Sequence, residues 1–201
     1  MLWNRRCRIV DTRGMNDMVK NPIEVRNGWT LPGLAADGPD PKWREQLMVF
    51  GQFVGDWTID ARYPQSDGSS RTGHGSLHMR WILEGRAVQD IWTSETGDPP
   101  REVPIGTTLR FYDPKIDAWR VVWISPRQGL ARTFVARKVR EEIVLEGMTS
   151  DGKPEQWIFS EITPRSFRWR SVESQDGGKS WRLTEEMRIR RAGDPSPATH
   201  S

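Results

Sequence analysis

The short connections between its β-like segments constrain this chain more than any other feature. From residue 55 onward, short segments of alternating apolar and polar residues follow one another, and almost every connection between them has two to six residues. Alternation with a period of two is typical of half-buried β-strands. A parallel pairing requires a crossover of about a dozen or more residues, so consecutive strands are expected to pair as antiparallel neighbours.

The chain contains about ten such segments. They read DWTIDARY, GSLHMRWIL, AVQDIWTSE, GTTLRFYD, AWRVVWIS, GLARTFVARKV, EEIVLEGM, EQWIFSEI, SFRWRSVES and WRLTEEMRIRR. An antiparallel sheet of this size exposes its two edges unless it closes on itself. We therefore predict a mainly β fold, an antiparallel up-and-down barrel of about ten strands. A two-sheet sandwich or a propeller-like array is the alternative.

One amphipathic α-helix is predicted before the first strand. Asp40 can cap it, with Pro41 in its first turn, and apolar residues recur from Trp43 to Val54 at spacings of four, three and four. Gly55 then ends the helix, and the period changes to two. In a closed barrel, this helix would plug or flank one mouth.

Composition divides the chain into three parts. Residues 1–40 contain several prolines and glycines without a sustained period, which indicates an extended, partly disordered arm. Residues 41–191 hold the helix and the strands and are predicted to form the barrel domain. Residues 192–201 form a short tail that we expect to be disordered.

Charge and cysteine content argue against several classes of partner. The formal charge is +3, but residues 1–20 carry all of this excess, so the rest of the chain is balanced and nucleic-acid binding is not expected. Cys7 is the single cysteine, which rules out an internal disulfide and favours the cytoplasm. No segment approaches the roughly 18 apolar residues of a membrane-spanning helix, so no membrane association is expected.

The segment SQDGGKSW, residues 174–181, resembles the Asp box found in sialidase-type propellers. It lies between two strand-like segments, where Asp176 can accept hydrogen bonds from turn amides and two glycines can adopt positive φ. Propellers carry repeated copies of this motif, and this chain has one. We therefore interpret it as a hairpin clasp in which Trp181 anchors the return strand, and not as a sign of a glycosidase.

Four segments within residues 41–191 together resemble a bacterial family of calycin-like barrels. They are FVGDWTID, WILEGRAVQDIW, GTTLRFYDPKIDAWRVVWISP and SEITPRSFRWRSVESQDGGKSW. Wider relatives of that family are the lipocalins, the fatty-acid-binding proteins and the nitrobindins. The resemblance implies a closed barrel with an internal cavity, and no catalytic motif comes with it. It also implies no cofactor, because haem ligation of the nitrobindin kind would need a histidine late in the barrel and residues 157–191 contain none.

Strand parity predicts which residues face the barrel interior. The inward face of each strand should be the one that carries its large apolar residues. The expected inward tryptophans are Trp57, Trp81, Trp119, Trp123, Trp157, Trp169 and Trp181. All of these except Trp119 and Trp181 are candidate ligand contacts. The alternative is that the indole rings fill a solid core.

Three charged residues share these apolar faces, namely Arg132, Glu161 and Glu185. An unpaired buried charge is costly, so three buried charges should form a linked network or meet a ligand. Such a network is either purely structural or catalytic. In the catalytic case, one carboxylate acts as a general acid or base and Arg132 fixes an anionic or carbonyl oxygen. All three are therefore candidate ligand-binding and catalytic residues.

The histidines offer less for chemistry. His78 shares its face with Arg80, which favours an outward, solvated position, whereas a β-bulge in the glycine-containing stretch before it would turn it inward. His78 is for this reason the fourth catalytic candidate. Outside the tail, only two histidines and one cysteine are present, and their spacing does not match any metal site.

These observations favour a small-molecule-binding barrel with an aromatic or isoprenoid ligand in a tryptophan-lined cavity. One alternative is a cofactor-independent isomerase, cyclase or lyase that uses the buried carboxylate and arginine. A protein-interaction module is the other. A homodimer would have to use the outer face of the barrel, the helix or the arm, because closure leaves no strand edge free.

Overall fold

The predicted barrel is present: ten antiparallel strands form a closed circle in the computed structural model, which describes residues 33–193. The strands are β1 (Gly55–Pro64), β2 (Ser70–Ile82), β3 (Ala87–Thr96), β4 (Arg101–Asp113), β5 (Ala118–Ser125), β6 (Leu130–Val139), β7 (Glu142–Met148), β8 (Pro154–Ser160), β9 (Ser166–Glu173) and β10 (Arg182–Arg191). Each strand pairs with its neighbours in sequence, and β1 also pairs with β10, where Ile59 lies opposite Ile189. This closure confirms the up-and-down barrel and excludes the sandwich and the propeller-like array.

The helix before the barrel is also confirmed, and it is short. A 3-10 turn, Pro41–Trp43, leads into α1, Arg44–Gly51. The Asp40 carboxylate accepts a hydrogen bond from the Lys42 amide at 2.9 Å, as expected of an N-terminal cap. Leu47 and Phe50 of the predicted apolar face are buried.

The helix and the residues that follow it close one end of the barrel. Phe50 packs edge-on against Trp119, with ring centroids 4.9 Å apart, and Phe53 lies 4.6 Å from the ring of Phe167. Gly51 allows the last helical turn to meet Trp81, because a Cβ atom at this position would overlap the indole ring. This end of the barrel is therefore filled by aromatic side chains.

The segment just before the helix lies against the same end of the barrel. The Ala36 amide donates to the Trp81 carbonyl at 3.0 Å, and the Asp40 amide donates to the Gly85 carbonyl at 3.1 Å. The predictions for residues 1–32 and 194–201 lie outside the described residues, and the domain boundaries stay predictions. Within residues 33–193, no helix is long and apolar enough to cross a membrane.

The clasp between β9 and β10 has the geometry expected of it. The Asp176 carboxylate accepts hydrogen bonds from the amides of Lys179 and Ser180 at 2.9 and 2.8 Å, and Gly177 has a φ of 73°. These bonds make the motif a structural turn. The expected inward position of Trp181 is wrong, because this residue precedes β10 and its side chain is exposed.

Candidate functional site

Four tryptophans form a closed ring across the barrel interior. Neighbouring ring centroids lie 5.5 Å apart for Trp92 and Trp123, 6.2 Å for Trp123 and Trp157, 5.3 Å for Trp157 and Trp169, and 5.9 Å for Trp169 and Trp92. Three of the four pairs meet edge to face, an arrangement that the charge distribution of aromatic rings favours. We call these four residues the tryptophan ring.

The tryptophan ring separates two different halves of the interior. On the helix side, the ring borders a void of only about 30 Å³, enough for roughly one water molecule. Trp57 and Trp81 are buried in this filled half, where Trp57 donates its indole N–H to the Phe53 carbonyl at 2.7 Å. These two tryptophans therefore belong to the solid core beside the helix and do not line the open cavity described next.

On the other side of the ring, the barrel opens into a cavity of about 330 Å³. Its floor is the tryptophan ring, and its polar wall is formed by Tyr63, Arg132, Glu155, Ser171, Thr184 and Glu185. Five of the predicted ligand-binding residues meet here, namely Trp123, Arg132, Trp157, Trp169 and Glu185. The tryptophans of the filled half thus belong to a solid core, whereas those of the tryptophan ring line a cavity; ligand contact by the latter stays a prediction.

Glu155, at the start of β8, organises the polar wall. Its Oε1 accepts hydrogen bonds from Arg132 Nη1 at 2.6 Å, from Trp157 Nε1 at 2.9 Å and from Ser171 Oγ at 3.3 Å. The Glu155 side chain is 1% exposed and that of Arg132 is 21% exposed, so this ion pair is largely desolvated. The other carboxylate oxygen of Glu155, Oε2, accepts no hydrogen bond from the described residues.

Glu155 was not among the residues predicted from the sequence, and the prediction that Glu161 is buried is wrong. Strand β8 ends at Ser160, and Glu161 turns away from the barrel with a φ of 52°. Its side chain is 67% exposed and pairs with Arg168 at 3.1 Å. A sequence signal for Glu155 existed, because Glu155 and Trp157 are two residues apart and therefore share a face.

Glu185 adds a second carboxylate to the wall, beside Tyr63. Burial raises the pKa of Glu185 to about 7; the hydrogen bond from the Tyr63 hydroxyl and the charge of Arg132 lower the pKa, whereas the charge of Glu155 raises it further. Burial also raises the pKa of Tyr63 to about 12, with a further contribution from Glu185. Near neutral pH, the Glu185 carboxyl group therefore exchanges its proton readily, while Tyr63 keeps its own.

Glu185 shares the inner face of β10 with Met187 and Ile189, and a β-bulge lies just before it. The register of β10 against β9 shifts between Leu183 and Glu185, so Thr184 is an extra residue on this strand. Beyond the bulge, Glu185 lies opposite Ser171, which also lines the cavity. Of the three residues predicted to form a network, Arg132 and Glu185 line the same cavity and Glu161 lies outside it; Arg132 is paired with Glu155 instead.

His78 lies outside the barrel, as the parity of β2 favours. Its side chain is 42% exposed, and its Nδ1 lies 2.7 Å from an oxygen of Asp56. The hydrogen bond with His78, followed by the contact with Arg80, holds the pKa of Asp56 below its usual value in spite of partial burial. The structure does not bring His78 together with the cavity residues.

A second buried ion pair occupies the filled half. Asp90 accepts hydrogen bonds from Arg110 Nη1 at 2.6 Å and from the Thr108 amide at 2.8 Å, and both charged side chains are at most 5% exposed. Arg110 also lies 5.3 Å from the ring of Phe50. Asp90 and Arg110 thus connect β3, β4 and the helix, and neither lines the open cavity.

The polar wall of the cavity offers hydrogen-bond acceptors on Glu155 and Glu185 and the guanidinium of Arg132. These groups can support hydrogen bonding, ion pairing and proton transfer. Across residues 33–193, no group of three or more histidine, cysteine, aspartate or glutamate side chains is arranged to hold a metal ion.

The fold is similar to that of an S-type phycobiliprotein lyase from Guillardia theta. The two chains are 9% identical, with a TM-score of 0.51, and the match covers 75% of this chain and 93% of that one. At this identity, the likeness shows the fold alone, a closed antiparallel barrel. No protein-family model and no curated protein matches the chain.

We predict that Glu155→Ala destabilises the protein far more than Glu161→Ala. The first substitution leaves the Arg132 guanidinium without its counter-charge in a desolvated wall and should cost about 2 to 4 kcal/mol. The second removes an exposed pair and should change the free energy of unfolding by less than about 0.5 kcal/mol. Urea-induced unfolding, followed by tryptophan fluorescence, measures both; equal costs would show that the Glu155 pair does not organise the wall.

We also predict that Glu185 makes stability depend on pH. Because its pKa in the folded state, about 7, exceeds the ordinary glutamate value of 4.5, its protonated form favours folding, and this contribution is lost as the pH rises through 7. At pH 8.5, Glu185→Gln should therefore have a free energy of unfolding on the order of 2 kcal/mol higher than the wild type. At pH 4.5, the two free energies should be nearly equal. Glu161→Gln is the matched control and should show no such difference between the two pH values.

Proposed function

We propose that the protein binds a small molecule with a flat apolar body in the open cavity of its barrel. The observation that carries this proposal is the pairing of an indole floor with a polar wall at a single open mouth. Large aromatic surfaces with a few convergent polar groups are typical of small-molecule sites, and about 330 Å³ lies at the lower end of their usual volume.

The filled half of the barrel strengthens this interpretation. Ring contacts among Phe50, Phe53, Phe159 and Phe167 leave almost no space on the helix side. The described residues pack one half of the core closely with large side chains, and yet residues 33–193 leave the mouth opposite the helix open. The open half is therefore better explained as a binding site than as loose packing.

The likeness to the phycobiliprotein lyase adds support at the level of architecture. A barrel with this topology provides the framework of an enzyme in that protein, whose name describes a lyase. Function on such a shared fold resides in the site residues, so the proposal for this chain rests on its own tryptophan ring and polar wall.

We predict that filling the mouth abolishes binding. Leu130 lines the cavity at the start of β6, and Leu130→Trp should occupy part of the space and weaken binding of the neutral dye Nile red by about tenfold or more. Thr133→Trp places the same side chain on the exposed outer face of the same strand and should leave binding within about twofold of the wild type. Fluorescence titration with the dye measures both dissociation constants.

Three outcomes of this titration are informative. Saturable binding of one dye per chain, lost in Leu130→Trp and kept in Thr133→Trp, supports the cavity as the site. Equal loss in both variants would place the dye on the outer surface. Absence of saturable binding to the wild type, together with no small molecule released on denaturation of the purified protein, would contradict the proposal.

A second candidate function is catalysis by a single acid or base. It is favoured by Glu185, whose pKa of about 7 suits proton transfer at neutral pH, and by Arg132, whose Nε has no hydrogen-bond partner among the described residues. This would make the protein an isomerase, cyclase or lyase that needs no cofactor.

The test of this second candidate is turnover of a compound that co-purifies with the protein. Glu185→Gln should keep binding of that compound but slow its conversion by about 10² to 10⁴-fold, since proton transfer by a placed group contributes that much. Chromatography of the mixture after incubation measures conversion. Unchanged conversion by Glu185→Gln would exclude Glu185 as the acid or base.

A further inference from the structure

We propose that the ligand of the open cavity is an organic cation, an apolar body that carries an ammonium group or a positively charged ring nitrogen. The inference rests on the proposed function, because it names the charge of the molecule that this cavity would hold. Three features of the polar wall and of the floor carry it, and they are independent of one another.

The first feature is the balance of charge in the wall. The ionisable residues of the cavity are Tyr63, Arg132, Glu155, Glu173 and Glu185. Arg132 is paired with Glu155 at 2.6 Å, and Glu173 lies 3.7 Å from Arg182. Glu185 forms no salt bridge with any residue of the described range 33–193; it accepts a hydrogen bond from Tyr63 and interacts with the charge of Arg132 without pairing with it. When Glu185 is ionised, the cavity therefore holds one uncompensated negative charge.

The second feature is the free oxygen of Glu155. All three hydrogen bonds to this carboxylate end on Oε1, and the buried Oε2 accepts none from the described residues. A buried carboxylate oxygen without a donor is costly, so a ligand N–H at this position would be stabilised. The Nε of Arg132 also lacks a partner, but the charge of that guanidinium is already matched by Glu155.

The third feature is the indole floor. The faces of aromatic rings carry negative potential, and indole attracts a cation more strongly than the rings of tyrosine or phenylalanine do. The four members of the tryptophan ring all line the cavity. The Trp157 N–H, the positive edge of its indole, is directed to Glu155. Aromatic surface beside carboxylates is how proteins commonly recognise ammonium groups.

The surroundings of Glu185 decide how binding depends on pH. The charged and titratable groups that face it or its partner are Tyr63 of β1, Arg71 of β2, Arg132 of β6, Glu155 of β8 and Glu173 of β9. Arg71 stacks over the Tyr63 ring at 5.4 Å and is exposed, and Arg132 is engaged by Glu155. A ligand cation would neutralise the negative charge of ionised Glu185, so the cation should bind most tightly when Glu185 has lost its proton.

The experiment compares three probes of one shape, which are 1-methylquinolinium, 1-methylnaphthalene and 1-naphthoate. They carry a positive charge, no charge and a negative charge, and each is titrated as a competitor of Nile red. At pH 8.5, we expect the cation to bind about tenfold or more tightly than the neutral probe, and the anion to bind more weakly than either. Between pH 5.5 and 8.5, affinity for the cation should rise about tenfold while that for the neutral probe stays constant.

Two variants show whether Glu185 is the group responsible. Glu185→Gln should remove the pH dependence and lower the affinity for the cation about tenfold at pH 8.5. Its affinity for the neutral probe should stay within about twofold of the wild-type affinity. Glu161→Gln removes a carboxylate from the outer surface and should bind all three probes as the wild type does. Leu130→Trp should lower the affinity for all three probes. This loss would distinguish binding in the cavity from adventitious binding to acidic groups on the surface.

The outcomes separate this inference from the proposed function. If the neutral probe or the anion binds as tightly as the cation, or if Glu185→Gln leaves the preference for the cation intact, the inference is overturned while the cavity remains a binding site. If Nile red itself does not bind to the wild type, the proposed function fails and the inference fails with it. A preference for the cation that depends on both pH and Glu185 supports the inference.

Discussion

The pairing of β1 with β10 is the contact on which the rest of this structure depends. Once the sheet closes, every strand has one face inside, and parity alone decides which side chains fill the interior. A barrel of eight strands is just wide enough for its own side chains to fill, so a circle of ten encloses additional space. On one side, Phe50 and Phe53 of the helix segment enter and occupy it. On the other side, no element of residues 33–193 enters, and the additional space becomes the cavity.

The two buried ion pairs play different parts in this arrangement. Asp90 and Arg110 lie in the filled half, where both oxygens of the aspartate are hydrogen-bonded and the pair joins two strands beneath the helix. Glu155 and Arg132 lie at the cavity, where one carboxylate oxygen and the guanidinium Nε remain without partners among the described residues. The guanidinium Nε lacks a partner in both pairs, so the difference lies in the carboxylates: both oxygens of Asp90 accept hydrogen bonds, whereas Oε2 of Glu155 accepts none from the described residues. A buried carboxylate oxygen without a donor carries a cost, which is more readily explained at a site for a ligand than in a core.

Much of this architecture could be predicted from the sequence, because alternation and connection length are local features. The strands, the closure and the Asp40 cap all follow from such patterns. The errors at Glu161 and Trp181 arise where a strand ends earlier or begins later than its pattern suggests, and the left-handed φ of Glu161 has no apolar signature. Glu155 could have been found from its shared face with Trp157. The bulge before Glu185 and the ring geometry of the tryptophans depend on register between strands, which a pattern within one strand does not contain.

The geometry of the tryptophan ring also determines how this protein interacts with light. With neighbouring centroids 5.3 to 6.2 Å apart, the four indoles are close enough for their excited states to couple, so that absorbed energy is shared among them. Their far-ultraviolet circular dichroism, in the region of the strong indole transition, should then contain exciton bands that belong to the four rings together and not to a single residue. A molecule resting on any one member of this ring alters the coupling of all four. Contact between a ligand and one indole of the cavity floor should therefore change the circular dichroism spectrum of all four coupled rings.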